Sequence, residues 1–152
     1  MAMQVPQYIL EDSIENGRGA ACNIVCTQPR RIAAISVAER VANERGMPAP
    51  GKVGSHLGYH VRLDAATSPD TRLLFCTTGI LLRRLSGDPQ LLSVSHVVVD
   101  EVHERTLQGD FLMALLRDLV HERRRLGKPL KVGRLGSLAP CNARCLVMSA
   151  CC

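Results

Sequence analysis

Along the chain, short apolar runs alternate with longer stretches in which apolar residues recur every three or four positions. This pattern predicts a mainly parallel sheet with crossover helices. Cys22-Asn23-Ile24-Val25-Cys26 predicts a buried strand. From Ile32 to Arg45 the positions Ile35, Ala38, Val41 and Ala42 keep a helical period with charges between, and Gly46 and Pro48 close the helix. Residues 47–70 are rich in Gly, Pro and Ser around Gly58-Tyr59-His60-Val61-Arg62 and predict a loop with one short strand. Leu73-Leu74-Phe75-Cys76 predicts the second strand, with Thr77-Thr78-Gly79 turning into a helix at Ile80–Leu85. His96-Val97-Val98-Val99-Asp100 predicts the third: short, β-branched and ending in acid. A long helix follows, with Phe111, Leu112, Leu115, Leu116 and Leu119 as its apolar stripe and Arg123–Arg125 as a solvated end where cations suit the dipole. Cys145–Ala150 predicts a fourth strand, and the aperiodic stretch Gly133–Arg144 before it reads as an insert.

Composition narrows the class. At 152 residues, 46% hydrophobic and 22% charged, the sequence suits one globular domain or a piece of one. It carries no apolar run of about 18 residues, which excludes a spanning helix, so no membrane partner is expected. The N-terminus lacks a basic-then-apolar leader, which leads us to expect an intracellular protein, in cytoplasm or nucleus. The seven cysteines are odd in number, and Cys22, Cys26 and Cys76 fall inside apolar runs, so reduced thiols are expected in place of a disulfide framework. Zinc is the lesser alternative, because the spacing of Cys22 with Cys26, and of Cys141 with Cys145, departs from paired C-x2-C. A formal charge of +5 permits a polyanionic partner. Two Phe, two Tyr and no Trp leave few stacking platforms, so contacts with nucleic acid should fall on phosphates.

In open parallel sheets, ligands bind beyond the carboxyl ends of the strands. Three predicted strand ends carry polar sets: Thr27-Gln28-Pro29-Arg30-Arg31, Thr77-Thr78-Gly79 and Asp100-Glu101-Val102-His103. All should share one edge. Asp100, held at a strand tip, is placed to orient a hydrated Mg²⁺, and Glu101, pointing differently, to polarise an attacking water. The bland alternative for Asp-Glu is a solvated acidic turn. Two cations at a helix start oppose the dipole, so Arg30 and Arg31 favour an anionic partner over a merely solubilising role.

Asp100-Glu101-Val102-His103-Glu104-Arg105-Thr106 resembles motif II of the DEAH/DExH-box RNA helicases, with Val in the Ala position. Thr27–Ala34 resembles their motif Ia, and Thr77–Arg83 resembles motif Ib, which more often has Asp where Thr78 stands. Leu57–Arg62 is similar to the segment between these two, and Met148-Ser149-Ala150 to the start of motif III. The likeness runs from Gln4 to about Val132 and resumes at the last strand. It implies a partial RecA-like P-loop NTPase domain, incomplete over residues 1–152 with 133–144 inserted. It further implies ATP and Mg²⁺ as cofactors and RNA as partner. Asp100 would hold Mg²⁺ through water, Glu101 would activate the hydrolytic water, and His103 would couple the nucleotide site to a second RecA-like domain. Arg30, Arg31 and Thr77 would hold the RNA backbone, and Ser149 and Ala150 would take part in coupling.

The sequence also departs from the family. No G-x-x-x-x-G-K-[ST] occurs, and in the register of the family's phosphate loop Met1, Ala2 and Met3 stand where Lys, the Mg²⁺-binding hydroxyl and a second Thr are expected. Cys151 replaces the Thr of motif III. We therefore expect a fragment of an ATP-dependent RNA helicase that binds ATP weakly or not at all and hydrolyses little. A sheet missing its phosphate-loop strand should also be marginally stable. The alternative is a non-catalytic RNA-binding or regulatory fragment.

Overall fold

The computed structural model describes residues 3–136. One six-stranded sheet, in the order β3-β2-β4-β1-β5-β6, forms its centre. β1 (Ile24–Gln28) lies between β4 (Leu73–Thr77) and β5 (His96–Val99), parallel to both. Outside these run β2 (Leu57–Val61), parallel to β4, and β6 (Lys131–Arg134), parallel to β5. β3 (Asp64–Ala66) is the sole antiparallel strand of this sheet, a short return against β2.

All five residues of β1 are buried, as expected of a strand covered on both faces and hence apolar without alternation. Successive side chains of the central strands alternate between the two faces. Ile24, Cys26, Phe75 and Val98 pack with Leu10 of α1 (Gln4–Glu15) and with Ala34, Ala38 and Val41 of α2 (Arg31–Glu44). Val25, Cys76, Val97 and Val99 pack with Leu81 of α3 (Thr78–Gly87) and with Leu112 and Leu116 of α4 (Leu107–Arg125). Each such fully buried Leu, Val or Phe contributes roughly 1.5–3 kcal/mol relative to exposure. Two helical layers thus clamp the sheet, the α/β architecture expected of a partial RecA-like domain.

Several boundaries differ from the sequence reading. β1 starts two residues later than predicted, because the Asn23 N–H is taken by the Ser95 hydroxyl at 2.8 Å instead of a neighbouring strand. Residues 47–70 contain two strands, β2 and β3. β6 extends through Gly133 and Arg134, the first residues of the stretch read as an insert, and the N–H of Leu135 continues the ladder to Val99 O at 2.8 Å. The rest of that stretch from residue 137, the strand predicted at Cys145–Ala150, and Ser149 and Ala150 with it, lie outside the described residues. Phe111, placed on the apolar stripe of α4, is 57% exposed. Arg123, read as part of a solvated helix end, is buried: it donates to the carbonyls of Gln90, Leu91, Val94 and Lys128. Its aliphatic stem fills the core side of α4 while the guanidinium satisfies a turn that would otherwise bury bare carbonyls. Among the described residues no helix is long and apolar enough to cross a membrane.

Candidate functional site

The three polar strand ends do share one edge of the sheet. Gln28 and Thr77 are direct register partners, and Thr27 pairs with Val99, which brings Asp100 beside Gln28. The Asp100 N–H extends the ladder one step, donating to Thr27 O at 3.2 Å. Each strand then hands its polar residues to a helix or turn on that rim.

α2 begins at Arg31 with Arg30 as its N-cap, and α3 begins at Thr78 with Thr77 as its N-cap. Neither cap side chain bonds the helix it precedes. Two helix N-termini without a side-chain cap therefore open on the same edge, one flanked by exposed guanidinium groups, an arrangement that favours phosphate oxygens. Arg30 is held meanwhile by Glu104, at 3.2 Å.

The acidic side of the rim is built differently. Asp100 is only 7% exposed. Its Oδ2 accepts from Gln28 Nε2 at 2.7 Å and its Oδ1 accepts from the Glu101 N–H at 2.8 Å. Among the described residues no cation lies within ion-pair distance of it. After Asp100 the chain turns sharply: Glu101 has φ +53° and Arg105 φ +49°, left-handed values that non-glycine residues seldom adopt. Beyond this turn the Glu101 carboxylate meets His103 Nδ1 at 3.2 Å. Thr106 then caps α4, its hydroxyl accepting from the Gly109 N–H at 3.1 Å. A cavity of about 20 Å³, room for about one water, is lined by Pro29, Thr78, Asp100, Glu101, Thr106 and Asp110.

Below this rim the thiols are inert. Burial first, then the negative charge of Asp100, pushes the Cys26 thiol well up, and burial pushes Cys76 up to about 12. Cys22, Cys26 and Cys76 are free and buried, and no cluster of three metal-ligating side chains occurs among the described residues.

The donor set at Asp100 suits a hydrated Mg²⁺ held through water. Each oxygen of this buried carboxylate accepts one hydrogen bond and retains a lone pair beyond it, turned to the small cavity on the rim. Of the predicted site residues, Arg30, Arg31, Thr77, Asp100, Glu101 and His103 come together on this rim. The sequence reading did not single out Gln28 or the Arg30–Glu104 pair. A glutamine at a strand end carries no distinctive pattern, and contacts 72 and 74 residues apart leave none in spacing.

No family model matches the chain. Curated proteins do. The chain is 58% identical over 120 residues to the DExH-box ATP-dependent RNA helicase DExH1 of Arabidopsis thaliana, a match covering 79% of this chain and 12% of the relative. It is 57% identical over 120 residues to the putative ATP-dependent RNA helicase DHX57 of Homo sapiens, covering 79% and 8% respectively. To the ATP-dependent RNA helicase dhx29 of Xenopus laevis it is 55% identical over 122 residues, covering 79% and 9%. The chain thus spans only about a tenth of the length of these relatives.

Proposed function

We propose that this homologue of the DExH/DEAH-box ATP-dependent RNA helicases carries the RNA-backbone and acidic half of a first RecA-like motor domain, and that the chain by itself grips RNA phosphates without hydrolysing ATP. The observation that carries the reading is the shared rim: Arg30, Arg31 and Thr77 stand on the same sheet edge as Asp100 and Glu101. A strand that ends in Arg-flanked helix N-termini beside one that ends in a buried carboxylate suits a protein whose RNA and nucleotide sites adjoin.

In this reading Arg30, Arg31 and the α3 N-terminus at Thr77 contact successive phosphates, giving affinity without sequence discrimination. Asp100 would hold Mg²⁺ through water, and the ion, when bound, would offset charge on the transferring phosphates. Glu101 would orient and deprotonate the attacking water, and its contact with His103 would report that state to a second RecA-like domain. Ser149 and Ala150 would serve the same coupling. The 152 residues contain no Gly-rich loop with its Lys. ATP affinity should accordingly be weak and the electrostatic part of phosphoryl transfer largely missing. The buried, unbridged thiols suit a reducing compartment, cytoplasm or nucleus.

Two measurements on the purified chain test this. Filter binding to single-stranded RNA should weaken steeply with salt and drop on Arg30→Ala/Arg31→Ala; binding indifferent to both would sink the RNA reading. ATP hydrolysis should stay at background with and without RNA. RNA-stimulated turnover lost in Glu101→Gln would refute the claim of inactivity. A purely regulatory fragment is the second reading, favoured if the chain fails to bind RNA yet captures the second motor domain of a related helicase.

A further inference from the structure

We propose that Gln28 is a positioning residue that fixes the Asp100 carboxylate and carries the state of the Arg30–Arg31 loop to the acidic turn. The inference rests on the RNA reading above and adds a residue to it.

The two segments on the rim are joined at two points. Arg30 meets Glu104 at 3.2 Å on the exposed side, and Gln28 Nε2 donates to Asp100 Oδ2 at 2.7 Å on the buried side. The first link is solvated and easily exchanged for a phosphate. The second is not: Gln28 is 4% exposed and Asp100 7%, so the bond is shielded from competing water. A single residue, Pro29, separates Gln28 from Arg30, and proline fixes its own φ and restricts its predecessor. A displacement of the arginines on binding phosphate is therefore passed along a stiff backbone to the Gln28 amide.

The residue type matters. A Lys or Arg at position 28 would satisfy the same oxygen but neutralise the carboxylate that must face a cation. A neutral amide orients Asp100 and leaves its charge intact. The other carboxylate oxygen holds the Glu101 N–H at 2.8 Å, at the left-handed position that aims the Glu101 side chain. Rotation of Asp100 would thus shift Glu101 as well, and one hydrogen bond from Gln28 sets the pose of both acids.

The test is a titration of the isotopically labelled full chain with single-stranded oligouridylate, following backbone amide resonances. In the wild type, RNA should move the amides of Arg31 and, through Gln28, those of Asp100 and Glu101. In Gln28→Met, which keeps length but removes the donor, Arg31 should move as before and RNA affinity should change less than about twofold. The response at Glu101 should fall at least severalfold. Gln28→Asn, too short to reach the carboxylate, should behave alike and serves if the Met variant does not fold. An undiminished Glu101 response in a folded variant that binds RNA overturns the inference alone. A wild-type chain that shows no RNA-induced shift at Arg31 overturns the RNA reading and the inference with it.

Discussion

Arg30 and Glu104 form an ion pair at 3.2 Å across the rim, tying the N-cap residue of α2 to the turn that follows β5. The Arg30 side chain is 77% exposed and that of Glu104 31%, so the pair adds little to folding, but it occupies the guanidinium that a phosphate would need. Glu104 is then a competitor for RNA. Glu104→Gln should tighten RNA binding by about two- to fivefold, the range of an exposed ion pair. The effect should shrink as salt is raised. Filter binding across a salt series reads both, and an unchanged or weakened affinity would mean that Arg30 does not contact RNA.

Gly51, in the turn that precedes β2, faces the end of β3. Its φ is +75°, and a Cβ placed there would lie 2.6 Å from the carbonyl carbon of Ala66 and 2.8 Å from the Thr67 nitrogen, both backbone atoms that cannot swing aside. Gly51→Ala should cost about 2 kcal/mol or more, the sum of an unfavourable φ and a steric displacement. Gly46, whose φ is +61° but whose Cβ would meet nothing within 4 Å, provides the control. Its Ala variant should lose only about 1 kcal/mol, from φ alone. Urea melts of the two variants separate the terms.

The strands at Leu73 and His96 were legible because β-branched or bulky apolar runs ending in polar residues admit few other folds. Their convergence on one edge followed from parallel connection alone. β6 was not legible: Lys131-Val132-Gly133-Arg134 buries only Val132. Its place is fixed by backbone pairing along β5, which side-chain pattern does not encode. α1 was also unpredicted; its buried positions Pro6, Leu10 and Ser13 include only one large apolar residue. The rim residues were legible as chemical types at strand ends. Which of them touch, above all Gln28 with Asp100, depends on strand order, which one residue's identity cannot disclose.

Arg123 shows the same limit with a stability consequence. In sequence it belongs to a run of three arginines; in the fold it alone turns inward, 3% exposed, binding Lys128 O at 2.6 Å, Gln90 O at 3.0 Å and Val94 O at 3.3 Å. Arg123→Ala would leave these carbonyls without a donor and a cavity where the stem lay. A loss of about 3 kcal/mol is expected, against about 0.5 kcal/mol or less for Arg124→Ala or Arg125→Ala. Arg123→Lys keeps the charge but not the fork and should fall between. Equal, small effects at all three positions in urea unfolding would contradict the buried clamp.

His96 makes stability depend on pH. It lies at the start of β5, in register with Lys131, with its Nδ1 2.9 Å from the Ser95 hydroxyl. Burial, then the charge of Lys131, pushes it down to about 4. In the unfolded chain the ring titrates near its ordinary value of about 6.5, so between these values the unfolded state binds a proton that the folded state refuses. The contribution is present in full above about pH 6.5 and is lost as pH falls toward about 4. Allowing for solvent screening of a ring that is only partly buried, the loss from about pH 7 to about pH 5 should be on the order of 1 kcal/mol. His96→Gln should remove that slope while leaving every other residue in place, so the difference between the two stability profiles isolates this ring. Parallel profiles would show that the His96 pocket accepts the proton as readily as water does.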